Sequence, residues 1–488
     1  MSHYLTFDIG TTALKSALIS SEGRVLALHT SEYTLRAPAP DRAEMSPETY
    51  WRAAVEGARA VYAMSGAEPR ALAAIGFSSQ GQSFIPIDRA GRPLHDAIVW
   101  VDNRAQSVAD EWQATWLSRE EYRRISGYPW VPASLTLFKV AWLARHAPDA
   151  HLAWKFLCLP DYLIYRLTGE TATDRIIAQF SGLFDLGTRR WEPRLLAAAG
   201  ITEEQLPHIQ EPGSVAGALL PGPAAELGVP PGVPVCVGAN DQIVGAVGAG
   251  NVRPGIASET TGTALALVAT TETLREGRGL CVGHHAVPGL SFAMAFANTS
   301  GIVLKWLRDL AAPGESYEAF LAGAAAVPPG CDGLTLLPHF AGTATPSFNP
   351  DARGAISGLT LAHTRAHLAR AILEACACIL QECIAEVENQ GTAITRVRSL
   401  GGAARSDLWL QIKADLLGIP VERPVCSDAA SLGAAILAAT GTGAFRSIRE
   451  AAEAWYRTAI TFEPDASRHA AYQEVYQRYT ALYQQLYG

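Results

Sequence analysis

A strand that runs straight into a small-residue turn occurs twice in this 488-residue chain, at corresponding points of its two halves. Tyr4-Leu5-Thr6-Phe7 leads into Asp8-Ile9-Gly10-Thr11-Thr12, and Lys15 to Ser20 returns as the second arm of a hairpin. Strand patterns resume at Ile256, lead to Thr261-Gly262-Thr263, and continue over Ala264 to Ala269. Glycine allows the tight turn, and successive backbone amides in such turns form anion-binding concavities. A P-loop would instead turn directly into a helix. With helices following each set of strands, the simplest architecture is α/β, with two lobes facing one another across a cleft. The division falls in Gly250-Asn251-Val252-Arg253-Pro254-Gly255, giving an N-terminal lobe over 1–250 and a C-terminal lobe over 251–488. A chain of this length also exceeds what one core normally serves.

Composition removes several classes of function. There are 47 Asp+Glu against 39 Lys+Arg, and pairs such as Arg123-Arg124 and Arg189-Arg190 are isolated, so no basic stripe for nucleic acid exists. No apolar run approaches the roughly 18 residues of a membrane span, and no charged–apolar–small signal pattern precedes Tyr4. The eight cysteines include no Cys-x-x-Cys pair and read as buried thiols of a reducing, cytoplasmic setting. His284-His285 would point to opposite faces of a strand and so do not make a metal pair.

Between the two turns, Pro47 to Ala63 reads as an amphipathic helix with Ser46 as its N-cap, and Ala73 to Ser78 as a buried strand. Val235-Cys236-Val237 leads into Gly238-Ala239-Asn240-Asp241-Gln242 and a helix of small residues. Its Gly245, Gly248 and Gly250 lack dinucleotide-fingerprint spacing and indicate close helix packing. Long helices are expected over Ile302 to Ala311 and His367 to Gln390, then a strand, a turn and a helix over Arg396 to Leu417.

Five short segments carry the chemistry: the Asp8 turn, the Asp241 loop, Thr261-Gly262-Thr263, Ser300-Gly301 and Gly401-Gly402-Ala403-Ala404. In the first, Thr11 and Thr12 offer amide and hydroxyl donors to phosphate oxygens. Asp8 is placed to hold Mg²⁺ directly or through water, because that ion keeps most of its waters and takes one or two carboxylates. Lys15, seven residues on, offers a cation to a transferring phosphoryl group. Asp241 is a single carboxylate able to take a hydroxyl proton, and also a residue able to cap the helix that follows; both roles can coexist. Ser300-Gly301, at a helix start, presents amides to an anion. The set, in this order, indicates ATP-dependent phosphorylation of a small molecule, chemistry that needs mainly positioning and charge neutralisation.

With those residues in place the chain resembles the FGGY carbohydrate kinase family over nearly its whole length. Two longer segments carry the likeness: Ser134-Leu135-Thr136-Leu137-Phe138-Lys139-Val140-Ala141-Trp142-Leu143-Ala144-Arg145-His146, and Gly354 to Leu359 followed by His367 to Glu374. The resemblance implies two actin-like (ribonuclease H-like) ATPase lobes that close on ATP, Mg²⁺ and a sugar or polyol. By position it makes Asp241 the catalytic base and Asp8 the magnesium-associated acid. Gly10, Thr11, Thr12, Ala13 and Lys15 fall in the phosphate-binding hairpin. Gly262, Thr263, Gly301, Gly401, Gly402 and Ser406 correspond to nucleotide contacts. Family members are often homodimers.

For the sugar, the resemblance points to Gln80, Gly81, Gln82, Trp100, Asp102 and Arg104 beside Asp241. Glycerol kinases carry Arg-Glu where this chain has Gly81-Gln82, and xylulose kinases usually carry Met-His there. Yet Trp100-Val101-Asp102-Asn103-Arg104, Leu159 to Leu163 and Gly401 to Ser406 are similar to xylulose kinases. Gly81 is expected to open space, Gln82 to meet hydroxyls, and Asp102 and Arg104 to fix a polyol or to pair with each other. The expected activity is phosphorylation of a terminal hydroxyl of a ketopentose, D-xylulose first. The alternatives are ribulose, a tetritol or gluconate, or an actin-like ATP-binding switch protein.

Overall fold

The computed structural model describes residues 2–277 and 279–488. These divide into two compact units. The first comprises Met1–Val252, Gly283–Leu290 and Asp428–Tyr456, and the second Arg253–Val282, Ser291–Ser427 and Arg457–Gly488. The division is therefore not a single cut near 250, because a late segment of the chain rejoins the first unit.

The first unit is built on a six-stranded sheet. Its strands run in the order Val215–Ala218, Pro234–Cys236, Leu72–Ser79, His3–Ile9, Ala13–Ser20, Val25–Glu32. The last three form an antiparallel meander, whereas Leu72–Ser79 pairs in parallel with both His3–Ile9 and Pro234–Cys236. The second unit repeats this arrangement. Ser291–Ala297, Leu265–Thr271 and Ile256–Thr261 form the antiparallel part, and Arg396–Leu400 and Val421–Pro424 follow in parallel. The repeat of strand, turn and returning strand expected from the sequence thus appears as two α/β units with one strand order.

Parallel strands in such sheets are covered on both faces, which is why their sequences do not alternate. All seven residues of His3–Ile9 are buried. Helix Pro47–Ser65 packs on Ala13–Ser20 and Val25–Glu32, and helix Ala429–Gly441 on Leu72–Ser79 and His3–Ile9. Ser46 occupies the N-cap of Pro47–Ser65 but its side chain makes no capping bond; Pro47 at the first turn and left-handed Gly66 at the end delimit this helix. In the second unit the 25-residue helix Arg365–Asn389 forms the spine of the core.

The small-residue helix, Asp241–Gly248, packs against Ala429–Gly441 at the closest range that backbones allow. A methyl group built on Gly433 would lie 1.9 Å from the Val244 carbonyl oxygen, and one on Gly248 would lie 1.9 Å from that of Ala429. Nothing lies within 4 Å of the corresponding point on Gly245. Gly433→Ala is expected to force the helices apart and cost about 1–3 kcal/mol. Gly245→Ala should be neutral or stabilising by up to about 1 kcal/mol, since it only removes backbone freedom from the unfolded chain. Urea-unfolding midpoints of the two variants check this contrast.

Candidate active site

In the first unit, Asp8 sits one residue before the end of the central strand. In the sheet register it faces Lys15 on one side and Ser78 on the other. Ser78 Oγ donates to Asp8 Oδ1 at 2.7 Å, and Lys15 Nζ lies 3.8 Å from Oδ2. Lys15 makes its closer contact, 2.9 Å, with Asp428, which caps helix Ala429–Gly441 through the Ser431 amide. Sequence reasoning misses Asp428; its place just before a helix of small residues is the available signal.

Asp241 opens helix Asp241–Gly248, and Asn240 Oδ1 caps that helix by accepting from the Gln242 amide at 3.1 Å. The loop is pinned beside the Asp8 strand because the Ser79 amide donates to the Ala239 carbonyl. Burial pushes the Asp241 carboxyl up to about 7, and the charge of Asp8 adds to it. Burial, and then the charge of Asp428, raises Asp8 to about 6 against the opposing pull of Lys15. Burial works against the charge of Lys15, but the carboxylates of Asp428 and Asp8 outweigh it and hold that ammonium above its ordinary value. Two acids, Asp8 and Asp428, thus share one cation, and Asp241 adds a third carboxyl beside Asp8.

The hairpin turn is held from behind. The Gly10 amide donates to the Ala13 carbonyl, and the Gly10 carbonyl accepts from Tyr33 Oη at 2.6 Å and Gln80 Nε2 at 3.1 Å. Thr12 is exposed and Ala13 half-buried. Thr11 Oγ1 accepts from Trp100 Nε1 at 2.8 Å and donates to Gln80 Oε1 at 3.2 Å. The hydroxyl hydrogen of Thr11 is therefore engaged with Gln80, and the Thr11 and Thr12 amides are the turn's further donors. Gln80 braces the turn with both ends of its amide, and Trp100 remains 40% exposed.

The sugar-facing expectations fare unevenly. Gly81 does not open space: a methyl built there would lie 2.9 Å from Phe180 Cβ and 3.2 Å from Asn240 Nδ2. A close approach, not a vacancy, demands the glycine. Gln82 is a non-glycine residue in the left-handed region, φ 71°, a conformation that costs energy and is commonest at functional sites. Its Nε2 donates to Tyr128 Oη at 2.9 Å. Asp102 and Arg104 take the second of the two roles left open for them. Asp102 is fully buried and binds Arg104 through both oxygens, while Arg104 also reaches Glu44 at 2.7 Å. Their charges are met by each other and by Glu44. Lys139, buried and unforeseen in this role, donates to the Val99 and Trp100 carbonyls and so holds the loop that carries the Trp100 ring.

In the second unit, the sequence-predicted nucleotide residues converge. Gly262, Thr263, Gly301, Gly402 and Ser406 all line one cavity of about 800 Å³, and Gly401 adjoins it in the chain. Gly301 lets the start of helix Gly301–Ala311 approach the Thr261–Thr263 turn, since a methyl there would lie 2.4 Å from the Gly262 carbonyl oxygen. Ser406 uses its hydroxyl to cap helix Asp407–Leu417 by accepting from the Trp409 amide. Lys305 and Arg405 bring positive charge to the wall, and Ile302, Leu304, Leu321 and Ala325 make an apolar side. Glu318 and Asp407 line it too, and the volume and the mixture of apolar wall, glycine turns and charged groups suit a drug-sized ligand with an apolar and a polar end. Among the described residues no cluster of three or more His, Cys, Asp or Glu could hold a metal, and no helix is long and apolar enough to cross a membrane.

Comparison with known proteins accounts for this arrangement. The chain is 29% identical over 490 residues to a xylulose kinase of Bacillus subtilis, covering 99% of this chain and 97% of the relative. It is 31% identical to a gluconokinase of Bacillus licheniformis over 91% of this chain and 88% of that protein. The solved xylulose kinase of Rhodospirillum rubrum superposes with a TM-score of 0.91 at 31% identity, covering 99% of both chains. The N-terminal domain model of the FGGY family of carbohydrate kinases matches residues 3–248, and the C-terminal domain model matches residues 257–442. Turns, cavity and buried acids are therefore parts of a sugar kinase, and the chain belongs to the FGGY family of carbohydrate kinases.

Proposed function

We propose that this kinase transfers the γ-phosphoryl group of ATP to a terminal hydroxyl of a ketopentose, D-xylulose first. The observation that carries the chemistry is the grouping of Asp8, Lys15 and Asp241 beside the Gly10–Ala13 turn. In this reading Asp241 accepts the hydroxyl proton, Lys15 offers charge to the phosphoryl oxygens, and the turn supplies backbone donors. The cavity of the second unit takes ATP, with the turns at its phosphate end and the apolar wall at the base.

The acids also fit Mg²⁺. Asp8 and Asp241 are both raised by burial and by neighbouring negative charge, so the site lacks positive charge that a divalent ion provides. Asp8 would hold the ion directly or through water, and the bound ion would neutralise charge on the transferring phosphate. For the substrate, the relatives include kinases of both a ketose and an aldonate. The two cations described near Trp100 are already engaged, Arg104 by Asp102 and Glu44 and Lys139 by backbone carbonyls. A neutral sugar needs no cation, whereas the carboxylate of gluconate gains from one, and this favours the ketose.

Three measurements check the reading. Asp241→Asn should lower kcat by about 10²–10⁴-fold with nucleotide binding nearly intact, and near-normal turnover would refute the base assignment. Because the base works only when ionised, kcat/KM should fall on the acid side with a midpoint near 7, moving lower as Mg²⁺ is raised; the acid limb should vanish in Asp241→Asn. An ADP-release assay over D-xylulose, D-ribulose, tetritols, gluconate and glycerol should give the highest kcat/KM for D-xylulose. Preference for gluconate would retain the kinase chemistry and replace the substrate. ATP hydrolysis indifferent to every sugar would favour the switch-like alternative.

A further inference from the structure

The cavity of the second unit is lined from residues 261–263, 301–305, 317–325 and 402–409, and one buried carboxylate is bonded to Thr261 in the first of these stretches and to residues that flank the last on both sides. Glu259 lies on strand Ile256–Thr261, two residues before the Thr261–Thr263 turn. Across the parallel register it faces Ser399, on the strand that delivers Gly401 and Gly402. Its third partner is Lys413, on helix Asp407–Leu417, whose first turn carries Asp407, Leu408 and Trp409 into the cavity wall. Ser399 Oγ and Lys413 Nζ both donate to Glu259 Oε1, and Thr261 Oγ1 donates to Oε2 at 2.6 Å. Lys413 Nζ also donates to Thr261 Oγ1 at 3.1 Å and lies 5.3 Å from the centre of the Trp409 ring. Side chains of both Glu259 and Lys413 are 0% exposed.

Burying two charges costs several kcal/mol per ion, and an apolar pair of similar volume often gives equal or greater stability. What the apolar pair cannot give is direction. The carboxylate and ammonium supply bonds of fixed geometry to Thr261 and Ser399, close before the two glycine turns. We propose that Glu259 and Lys413 are positioning residues that set the distance between the Thr261–Thr263 turn, the Gly401–Gly402 turn and the Ser406–Trp409 wall, and so set nucleotide affinity. The proposal rests on the reading that this cavity takes ATP.

The test replaces the pair with an apolar one, Glu259→Met with Lys413→Met, and separately makes Thr261→Val, which keeps shape and loses both hydroxyl bonds. ADP binding is measured by calorimetry, KM by steady-state kinetics for ATP and for sugar, and unfolding midpoints by urea. The expected result is at least about tenfold weaker ADP binding and a raised KM for ATP in both variants, with the KM for sugar unchanged. A folded variant of either kind that binds ADP like the parent overturns the positioning role; if the double variant does not fold, Thr261→Val decides alone. Gly402→Leu separates the two readings, because nothing lies within 4 Å of the point its side chain would enter. Loss of ADP binding in Gly402→Leu together with parental binding in Thr261→Val overturns only the positioning role. Parental ADP binding in Gly402→Leu places the nucleotide elsewhere and overturns both.

Discussion

Parallel pairing of a central strand with a neighbour far along the chain is the constraint on which both units depend. In the first unit, the pairing of His3–Ile9 with Leu72–Ser79 sets Ser78 beside Asp8. The same neighbour continues past Ser79, where it meets Ala239 and Asn240 and delivers Asp241 to the same edge. One residue further, Gln80 folds back to brace the Gly10 carbonyl and Thr11. A slip of one residue would turn every one of these side chains to the other face. In the second unit the pairing of Ile256–Thr261 with Arg396–Leu400 does the same work, setting Glu259 opposite Ser399 and the two glycine turns side by side.

The charges at these strand ends are arranged in two different ways. In the first unit the acids outnumber their cation, and Asp8 and Asp241 are left with raised affinity for protons. Such a site is unfavourable by itself and gains from whatever positive charge or proton a reaction brings, which is what a general base and a metal-associated acid require. In the second unit the carboxylate is matched by Lys413 and by two hydroxyls, which suits a frame that does not change during a reaction. Strain enters the first unit too, at left-handed Gln82, close to the crowded Gly81.

Much of this architecture is legible in contiguous residues. The segments Asp8–Thr12, Thr261–Thr263 and Gly401–Gly402 announce themselves because a tight turn after a strand restricts residue choice locally. Helix Pro47–Ser65 and helix Arg365–Asn389 lie within two residues of the expected bounds, since periodicity and proline or glycine boundaries are local signals. Sequence reasoning fails where the outcome depends on what lies opposite a residue. Gly81 suggests room, yet Phe180, ninety-nine positions later, fills that room. Arg104 looks available to a sugar, yet Glu44, sixty positions earlier, claims it together with Asp102. Asp428 carries only a helix-start signal and Glu259 none, and their partners are what identify them.

The α/β class, the internal repeat, the turns that suit phosphate and the single candidate base all follow from the amino-acid order, because each is written in neighbouring residues with local conformational demands. Folding in three dimensions was needed to establish which carboxylates share Lys15, that residues 428–456 return to the first unit, and that Glu259 ties the Thr261 turn to the strand and the helix on either side of the Gly401–Ser406 stretch. The physical reason is that electrostatic coupling and close packing depend on distance in space, and a strand register converts separations of more than a hundred residues into a few ångströms.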